Sequence, residues 1–547
     1  MQIEVGATSC LGANAVVNAL VDAGVDTFFM NPGTSEVHLV AAIDSNELAK
    51  PVLCLFEGAA TGAADGYARA CGRPAAVLLH LGPGLANGLA NLHNARKANS
   101  PMVVIVGEHS AEHLEFDTPL RSDVAALAGF AAGKVFSLAP GDDIVKTIQA
   151  AVAAAMRAPE GPVIVIANVD AMWACISVDH RDAFTGAPAK SSEPVQAGLL
   201  EQAAQSLGIA GSGAALIVGG DALTAEAIAL AGSVATATGC KLMMETFNAQ
   251  QARGAGVVAI ERLPYFRELA QQKLAPFSLL VLVGSRPPVA FFASPGERSE
   301  LHAPGSTLIR FDRATASIDI LRQLAAMLQA DKGRDAGAGS MDVPLRVLSE
   351  MYSGRLNARS IWASVNVLLP AGAIVSDESG VTSIGSDEAM RTALPHQWFN
   401  LTGGSIGQAL PVATGAALAR PEARVLAMQG DGGAMYTIQA LWTQVRERAN
   451  VVNVILRNDR YAILEHEVKR HGIAPLGPKG AAMFDLTNPS IDWVAMASSM
   501  GMCAQSASTA EEFHEALREG LEREGPCLIE ARILPPLKRT AVSEVVV

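Results

Sequence analysis

A chain of 547 residues is too long for one hydrophobic core, and length alone predicts about three domains. Half of the residues are apolar and only 17% are charged, which excludes a disordered chain, and no apolar run reaches the ~20 residues of a membrane span. The net charge of −13, from 41 basic and 54 acidic residues without a long basic run, argues against nucleic acid or an anionic membrane as partner.

The N-terminal MQIEVGATSC lacks the basic region and apolar core of a secretory signal. The seven cysteines are scattered and show no CxxC pairing, so reduced thiols in a cytoplasmic protein are expected. Short apolar runs at 26–31, 52–56, 75–80, 102–107 and 163–167 read as strands alternating with Ala-rich helices. Such alternation predicts an α/β fold with a doubly wound parallel sheet covered by helices on both faces. The first strand runs into Asn31-Pro32-Gly33-Thr34-Ser35-Glu36. The second runs into Glu57 at the head of a small-residue helix, where a carboxyl commonly just complements the helix dipole. His80 ends the third, where capping a strand end and facing a substrate are equally good accounts.

A Pro- and Ser-containing stretch at about 181–196 reads as a linker. A second α/β block follows, with strands expected at 215–218, 279–283 and 307–311. Its Gly219-Gly220-Asp221 is a weak nucleotide signal without GxGxxG spacing. The segment DKGRDAGAGSM, 331–341, is a second linker, so domains are expected at 1–182, 197–332 and 343–534. The tail beyond Pro535 ends in three valines that a partner subunit could cover.

The third block carries the most informative stretch. An apolar run at 425–428 breaks at Gly430-Asp431-Gly432-Gly433, and Met435, Ile438, Leu441, Trp442 and Val445 then recur at helical spacing. A second apolar run, 451–456, ends in Arg457-Asn458-Asp459. One strand-helix-strand unit would place Asp431 and Asn458 at the carboxyl ends of its two strands. Glycines without Cβ would let the N–H groups of Gly432, Gly433 and Ala434 approach a diphosphate at the helix N-terminus. Asp431 and the Asn458 amide oxygen are hard ligands suited to Mg2+. A lone GDGG is more simply a tight turn with a capping Asp, but the polar Asn one helix and one strand later makes the ligand reading more specific.

Together with Glu57 in a separate domain, this pattern resembles the thiamine diphosphate (ThDP)-dependent enzymes of the acetolactate synthase large subunit and benzoylformate decarboxylase family. The resemblance implies three α/β domains, pyrimidine-binding, central and diphosphate-binding, holding ThDP and Mg2+. It puts Asp431, Asn458 and the backbone carbonyl of Arg460 around the metal. It puts Gly430, Gly432, Gly433, Ala434, Tyr461 and the amides of Gly380 and Val381 around the cofactor. The Gly404 carbonyl would meet the exocyclic amino group, and Ile406 would be the apolar wedge under the bent cofactor. Glu57 corresponds to the acid that shares a proton with the pyrimidine nitrogen, promoting the tautomer that activates the thiazolium carbon. Thr34 and His80 would face the substrate, and Leu464 would line its pocket. Arg457 stands where the family usually has the first of two asparagines.

These residues serve two fates of the enamine that follows loss of CO2: protonation to an aldehyde, or attack on a second carbonyl. The segment from LFEGAATGAADGYARACGRPA onward looks most like acetolactate synthase large subunits. The middle block nevertheless lacks the MHG and RFDDR patterns of FAD binding, and RYAILEHEVKRHG lacks the MVxQWQ pattern. Thr34, His80 and the Asp377-Glu378-Ser379 segment lean toward benzoylformate decarboxylase. The expectation is decarboxylation of a small-molecule 2-oxo acid, without FAD, with acetolactate-type carboligation as the alternative. An inactive ThDP-binding partner subunit is the alternative of another class, and intact Glu57, Asp431 and Asn458 speak against it. The resemblance also implies a homodimer or homotetramer with the site between chains.

Overall fold

A computed structural model describes residues 8–178, 190–292, 295–330, 341–473 and 475–533. Most of the linker expected at 181–196, nearly all of that at 331–341, and the valine tail lie outside these residues. In the first third, the strands are β1 (Thr8–Leu11), β2 (Thr27–Met30), β3 (Lys50–Leu53), β4 (Ala75–Leu79), β5 (Met102–Glu108), β6 (Lys134–Leu138), β7 (Pro162–Asn168) and β8 (Cys175–Val178). Six of them form a parallel sheet in the order β3-β2-β4-β5-β7-β6, while β1 and β8 pair antiparallel beside it. β2 and β4 are buried at every position, as continuous apolar runs require when helices cover both faces. β6 was not anticipated, because KVFSL is a largely exposed edge strand without a clear apolar run.

The middle third supplies β9 (Ala214–Val218), β10 (Lys241–Met244), β11 (Gln250–Arg253), β12 (Glu261–Arg262), β13 (Leu279–Val283) and β14 (Thr307–Arg310). Five of these make a parallel sheet in the order β12-β10-β9-β13-β14. The sixth, β11, leaves its block and pairs antiparallel with the third sheet, so a strand of that sheet falls inside the stretch 197–332.

The last third contributes β15 (Ile374–Glu378), β16 (His396–Asn400), β17 (Val425–Gly430), β18 (Val451–Arg457), β19 (Cys503–Ala507) and β20 (Cys527–Arg532). The sheet order is β11-β16-β15-β17-β18-β20-β19, parallel apart from β11. From β15 the chain moves to β16 on one side and then returns to β17 on the other. The order therefore reverses between β15 and β17, and open α/β sheets bind ligands at the carboxyl ends of such a switch point. The single helix expected over 435–445 is instead two short ones, Asp431–Ala434 and Ala440–Arg446. Between them the Thr437 hydroxyl donates to the Gly407 carbonyl at 2.7 Å, and Met435 turns outward, 43% exposed.

Two small-residue helices lock the first domain to the third. A Cβ on Gly66 of the helix Glu57–Cys71 would stand 1.9 Å from the Val412 carbonyl oxygen, and one on Gly415 of the helix Ala409–Ala419 would stand 1.7 Å from that of Ala63. Only glycine allows that approach. Arg69 reinforces it from a fully desolvated position. Its guanidinium grips Asp65 through two bonds of 2.7 and 2.6 Å, and donates to the carbonyls of Ala249 (3.1 Å) and Asn400 (2.8 Å) and to the Thr402 hydroxyl (3.3 Å). No helix among the described residues is long and apolar enough to cross a membrane.

Arg69→Ala strands the buried Asp65 carboxylate and two carbonyls, which costs about 3–5 kcal/mol. The midpoint of urea unfolding should fall accordingly; a variant with an unchanged midpoint would show that the junction does not depend on this pair.

Candidate active site

Strands β3, β2 and β4 are neighbours and run parallel, so the three polar groups that follow them gather at one sheet edge. Glu57, at the head of its helix, accepts from the side-chain amides of Asn31 (3.2 Å, Oε1) and Asn87 (3.0 Å, Oε2). Two amide donors thus surround this carboxylate. Beside it, His80 Nδ1 bonds Glu36 Oε2 at 2.8 Å. The imidazole lies flat against Gly33, where a Cβ would come within 2.1 Å of Nδ1, and Thr34 sits exposed on the adjoining turn Thr34–Glu36. Burial pushes the Glu36 carboxyl above the ordinary carboxylate range, against the pull of the His80 ring. Glu36 was not singled out from sequence, although it stands only two residues after Thr34. Fixing Nδ1 in this way orients the ring and leaves Nε2 as the nitrogen available for chemistry.

The second cluster sits at the carboxyl ends of β16, β15, β17 and β18. Asp431 begins a helical turn right after β17, and its carboxylate accepts from three backbone amides: Gly432 (2.9 Å), Asn458 (3.1 Å) and Asp459 (2.7 Å). Burial raises its affinity for a proton and the amides oppose that shift; a bound cation would favour the ionised form further. The Asn458 side-chain oxygen accepts from Arg460 N at 3.1 Å, closing a tight turn in which Asp459 has φ 58°. Arg457 does not face this turn's ligand groups; it is held by Glu530 (2.5 Å), Asp459 (2.7 Å) and Ser490 (2.5 Å) and braces the turn from behind. The Tyr461 ring packs on Gly432, whose Cβ would stand 2.4 Å from Cε1.

Glu378, the last residue of β15, is buried and has a role here that its segment did not announce in sequence. Its carboxylate accepts from the amides of Gly407 (2.7 Å), Gln408 (2.6 Å) and Ala409 (3.1 Å), and a Cβ on Gly433 would lie 2.5 Å from Oε1. One side chain therefore fixes the loop 402–407 against the turn of Asp431. Burial pushes this carboxyl up, opposed by the same amides and by Gln429. The loop is also tied to the first domain: Asn94 donates to the Ser405 carbonyl (2.7 Å) and accepts from Ser405 N (3.2 Å). Its Gly404 is exposed at φ 76°, and Ile406 is half-buried beside it. Gly380, at φ 56°, has open space where a side chain would be, with Val381 partly exposed next to it. Leu464 is 41% exposed on the helix Ala462–Arg470.

Thus the residues predicted from sequence fall into two groups on separate sheet edges. Thr34, Glu57 and His80 form one; Gly380, Val381, Gly404, Ile406, Gly430 to Ala434, Asn458, Arg460, Tyr461 and Leu464 form the other. Among the described residues no three His, Cys, Asp or Glu side chains converge on one point. A cation at Asp431 would draw on one carboxylate, the Asn458 amide oxygen, a backbone carbonyl and ligand oxygens, a set that suits Mg2+.

Comparison with known proteins identifies the two domains in which these groups lie. Residues 11–127 match the thiamine pyrophosphate enzyme N-terminal TPP binding domain, and residues 379–531 match its C-terminal TPP binding domain. A candidate acetolactate synthase large subunit, IlvX, of Mycobacterium tuberculosis is 42% identical over 96% of this chain and 99% of its own length. The benzoylformate decarboxylase of Pseudomonas aeruginosa is 28% identical over 93% of this chain and 96% of its own. Among solved structures, the ThDP-dependent 4-hydroxybenzoylformate decarboxylase of Rhodococcus jostii superposes with a TM-score of 0.81 at 24% identity, over 96% of this chain and 99% of that one. At that identity the likeness establishes the three-domain α/β fold.

Glu378→Gln keeps the side chain's volume but sets an N–H against backbone N–H groups, leaving buried donors unpaired at a cost of about 1–3 kcal/mol. Urea unfolding should register the loss, and an unaltered midpoint would contradict this bracing role.

Proposed function

The chain belongs to the thiamine pyrophosphate enzyme family, and from that premise we propose that it is a ThDP- and Mg2+-dependent enzyme that cleaves the bond between the carbonyl and the carboxylate of a 2-oxo acid. The observation that carries the reading is the pairing of Asp431 with the Asn458 turn at the switch point of the third sheet. There, hard oxygen donors and the backbone of a glycine-rich helical turn lie together, as a metal diphosphate requires.

When bound, the cofactor supplies the electron sink that loss of CO2 needs. The chain's own groups do the rest. Asp431, Asn458 and the Arg460 carbonyl hold the cation, while the amides of Gly432, Gly433 and Ala434 face the diphosphate. Gly430 and Tyr461 close the cradle. Amides of Gly380 and Val381 reach it from the neighbouring strand. The Gly404 carbonyl would accept from the exocyclic amino group, with Ile406 as the apolar support beneath the cofactor. Glu57, steadied by Asn31 and Asn87, holds a proton against the pyrimidine nitrogen. His80, oriented by Glu36, and the Thr34 hydroxyl meet the substrate's carboxylate end, and Leu464 lines the pocket for its side chain.

Exposed apolar side chains at the third sheet's edge, Met435, Tyr436, Ile463 and Leu464, support a homodimer or homotetramer in which one chain's first domain covers its neighbour's third. Glu57 of one chain would then face Asp431 of the other. The middle domain supports a site without FAD: Glu245 accepts from the amides of Gly220 (3.2 Å) and Arg286 (3.3 Å), so the chain's own carboxylate fills the place a nucleotide phosphate would need. Asp221 of the weak GGD signal is itself bonded to Ser317. All seven cysteines are free thiols, which supports a cytoplasmic enzyme. Acetolactate-type carboligation is the second reading, favoured by the 42% identity to the mycobacterial relative.

Glu57→Gln should bind ThDP, followed by tryptophan quenching, yet release no CO2 from 2-oxo acids. Asp431→Ala should lose Mg2+ and ThDP together. Full turnover in the first variant or normal cofactor affinity in the second would overturn the assignment.

A further inference from the structure

The chain is poor in aromatic residues, 5% overall, yet five of them meet in one place. They sit on three loops at the carboxyl ends of the middle sheet: Phe247 after β10, Tyr265 and Phe266 after β12, and Phe291 and Phe292 after β13. Phe291 is the hub. Its ring centroid lies 5.0 Å from that of Phe247, 5.5 Å from Tyr265 and 4.6 Å from Phe292, the last pair edge to face. These separations fall in the attractive range for aromatic pairs. A buried cluster of this kind would be ordinary core, but this one is open: Phe291 is 40% exposed and Phe292 57%.

Two contacts fix where the cluster faces. The Phe291 ring edge lies against Gly404, for a Cβ there would stand 2.8 Å from Phe291 Cζ. On the opposite side, Arg470 pairs with Glu268 at 3.0 Å, and Tyr265 is close enough to Glu467 for that carboxylate to help raise its phenol pKa, after burial. The ion pair ties the helix Ala462–Arg470, with its exposed Ile463 and Leu464, to the helix Arg267–Leu274, which directly follows Tyr265 and Phe266. Phe291 therefore lies directly against the loop of Gly404 and Ile406 and, through Tyr265, close to the helix of Leu464, two elements that the proposed function assigns to cofactor and substrate.

We infer that Phe291, backed by Phe247 and Tyr265, is a specificity-determining wall of the substrate side-chain pocket and selects 2-oxo acids bearing an aryl group. This rests on the placement of the cofactor beside Gly404 and Ile406. A flat ring completes the edge-to-face cluster and removes its exposed apolar surface from water. The methyl group of pyruvate is too small to cover it. The wall comes from the middle domain and, apart from the Tyr265 phenol behind Phe291, offers no ionisable group, so it discriminates by shape and apolar contact.

The test uses holoenzyme loaded with ThDP and Mg2+, titrated calorimetrically with 2-hydroxy-2-phenylacetate (mandelate) and with lactate, inert reduced counterparts of an aryl and a methyl substrate. The phenyl compound should bind at least about tenfold more tightly. Phe291→Ala should abolish that preference while leaving lactate binding and the circular dichroism of bound ThDP unchanged, and Phe291→Leu should fall between. Equal binding of the two compounds, or a preference that survives Phe291→Ala, overturns the inference. So does a fall in assembly mass by light scattering in Phe291→Ala, which would make the cluster a subunit contact. Release of CO2 from benzoylformate and pyruvate is measured in parallel. Turnover without aryl preference defeats the pocket assignment alone. A Phe291-dependent preference without turnover upholds the pocket and defeats the decarboxylase reading alone.

Discussion

Two buried carboxylates whose partners are backbone amides hold the third sheet's edge in shape. Asp431 gathers the amides that follow β17 and β18, and Glu378 gathers those that open the helix Ala409–Ala419. A carboxylate is costly to bury, and here donated N–H bonds offset that cost. The result is a rigid strip across adjacent strands in which every loop is fixed by its neighbour. Local backbone geometry thus becomes the geometry of the candidate site.

The first domain obeys a different constraint. Its helix Glu57–Cys71 carries glycine and alanine where it meets the helix Ala409–Ala419, and Arg69 closes the junction on two further stretches of chain, at Ala249 and at 400–402. The loop of Gly404 is anchored to the same domain through Asn94, on the neighbouring helix Leu81–Ala98. Glu57 therefore has its position set by the same packing that positions the third domain's loop. The middle domain reaches this junction through Arg262, which bonds Asn400 at 3.5 Å, and Arg286, which donates to the Lys97 carbonyl at 3.0 Å; it also adds the aromatic cluster around Phe291 and the clamp on the helix Ala462–Arg470.

Residues that end an apolar run were legible in the sequence. Asp431, Asn458 and His80 each follow a buried strand and Glu57 follows the edge strand β3, so alternation of strand and helix was enough to place them at sheet edges. What escaped notice depends on partners far along the chain. Glu378 bonds amides 29 to 31 residues later, and β11 exists because β16, more than a hundred residues on, offers it an edge. QQAR has no apolar period to announce a strand. The helix expected after Asp431 failed for a related reason: the Thr437 hydroxyl is claimed by the Gly407 carbonyl, and the turn it makes moves Met435 and Tyr436 to the surface. Arg457, an oddity in sequence, is explained by Glu530 on the adjacent strand.

The central claim is that a proton-holding acid and a cation-holding acid from two chains meet on one coenzyme. Complementation addresses it most directly: Glu57→Gln and Asp431→Ala, each inactive alone, are co-expressed in equal amounts and the purified mixture is assayed for CO2 release. If each site takes Glu57 from one chain and Asp431 from its symmetric partner, half of the dimers are hybrids with one intact site, and about a quarter of wild-type activity returns. A mixture no more active than its parts would mean that both groups come from the same chain, or serve no common site.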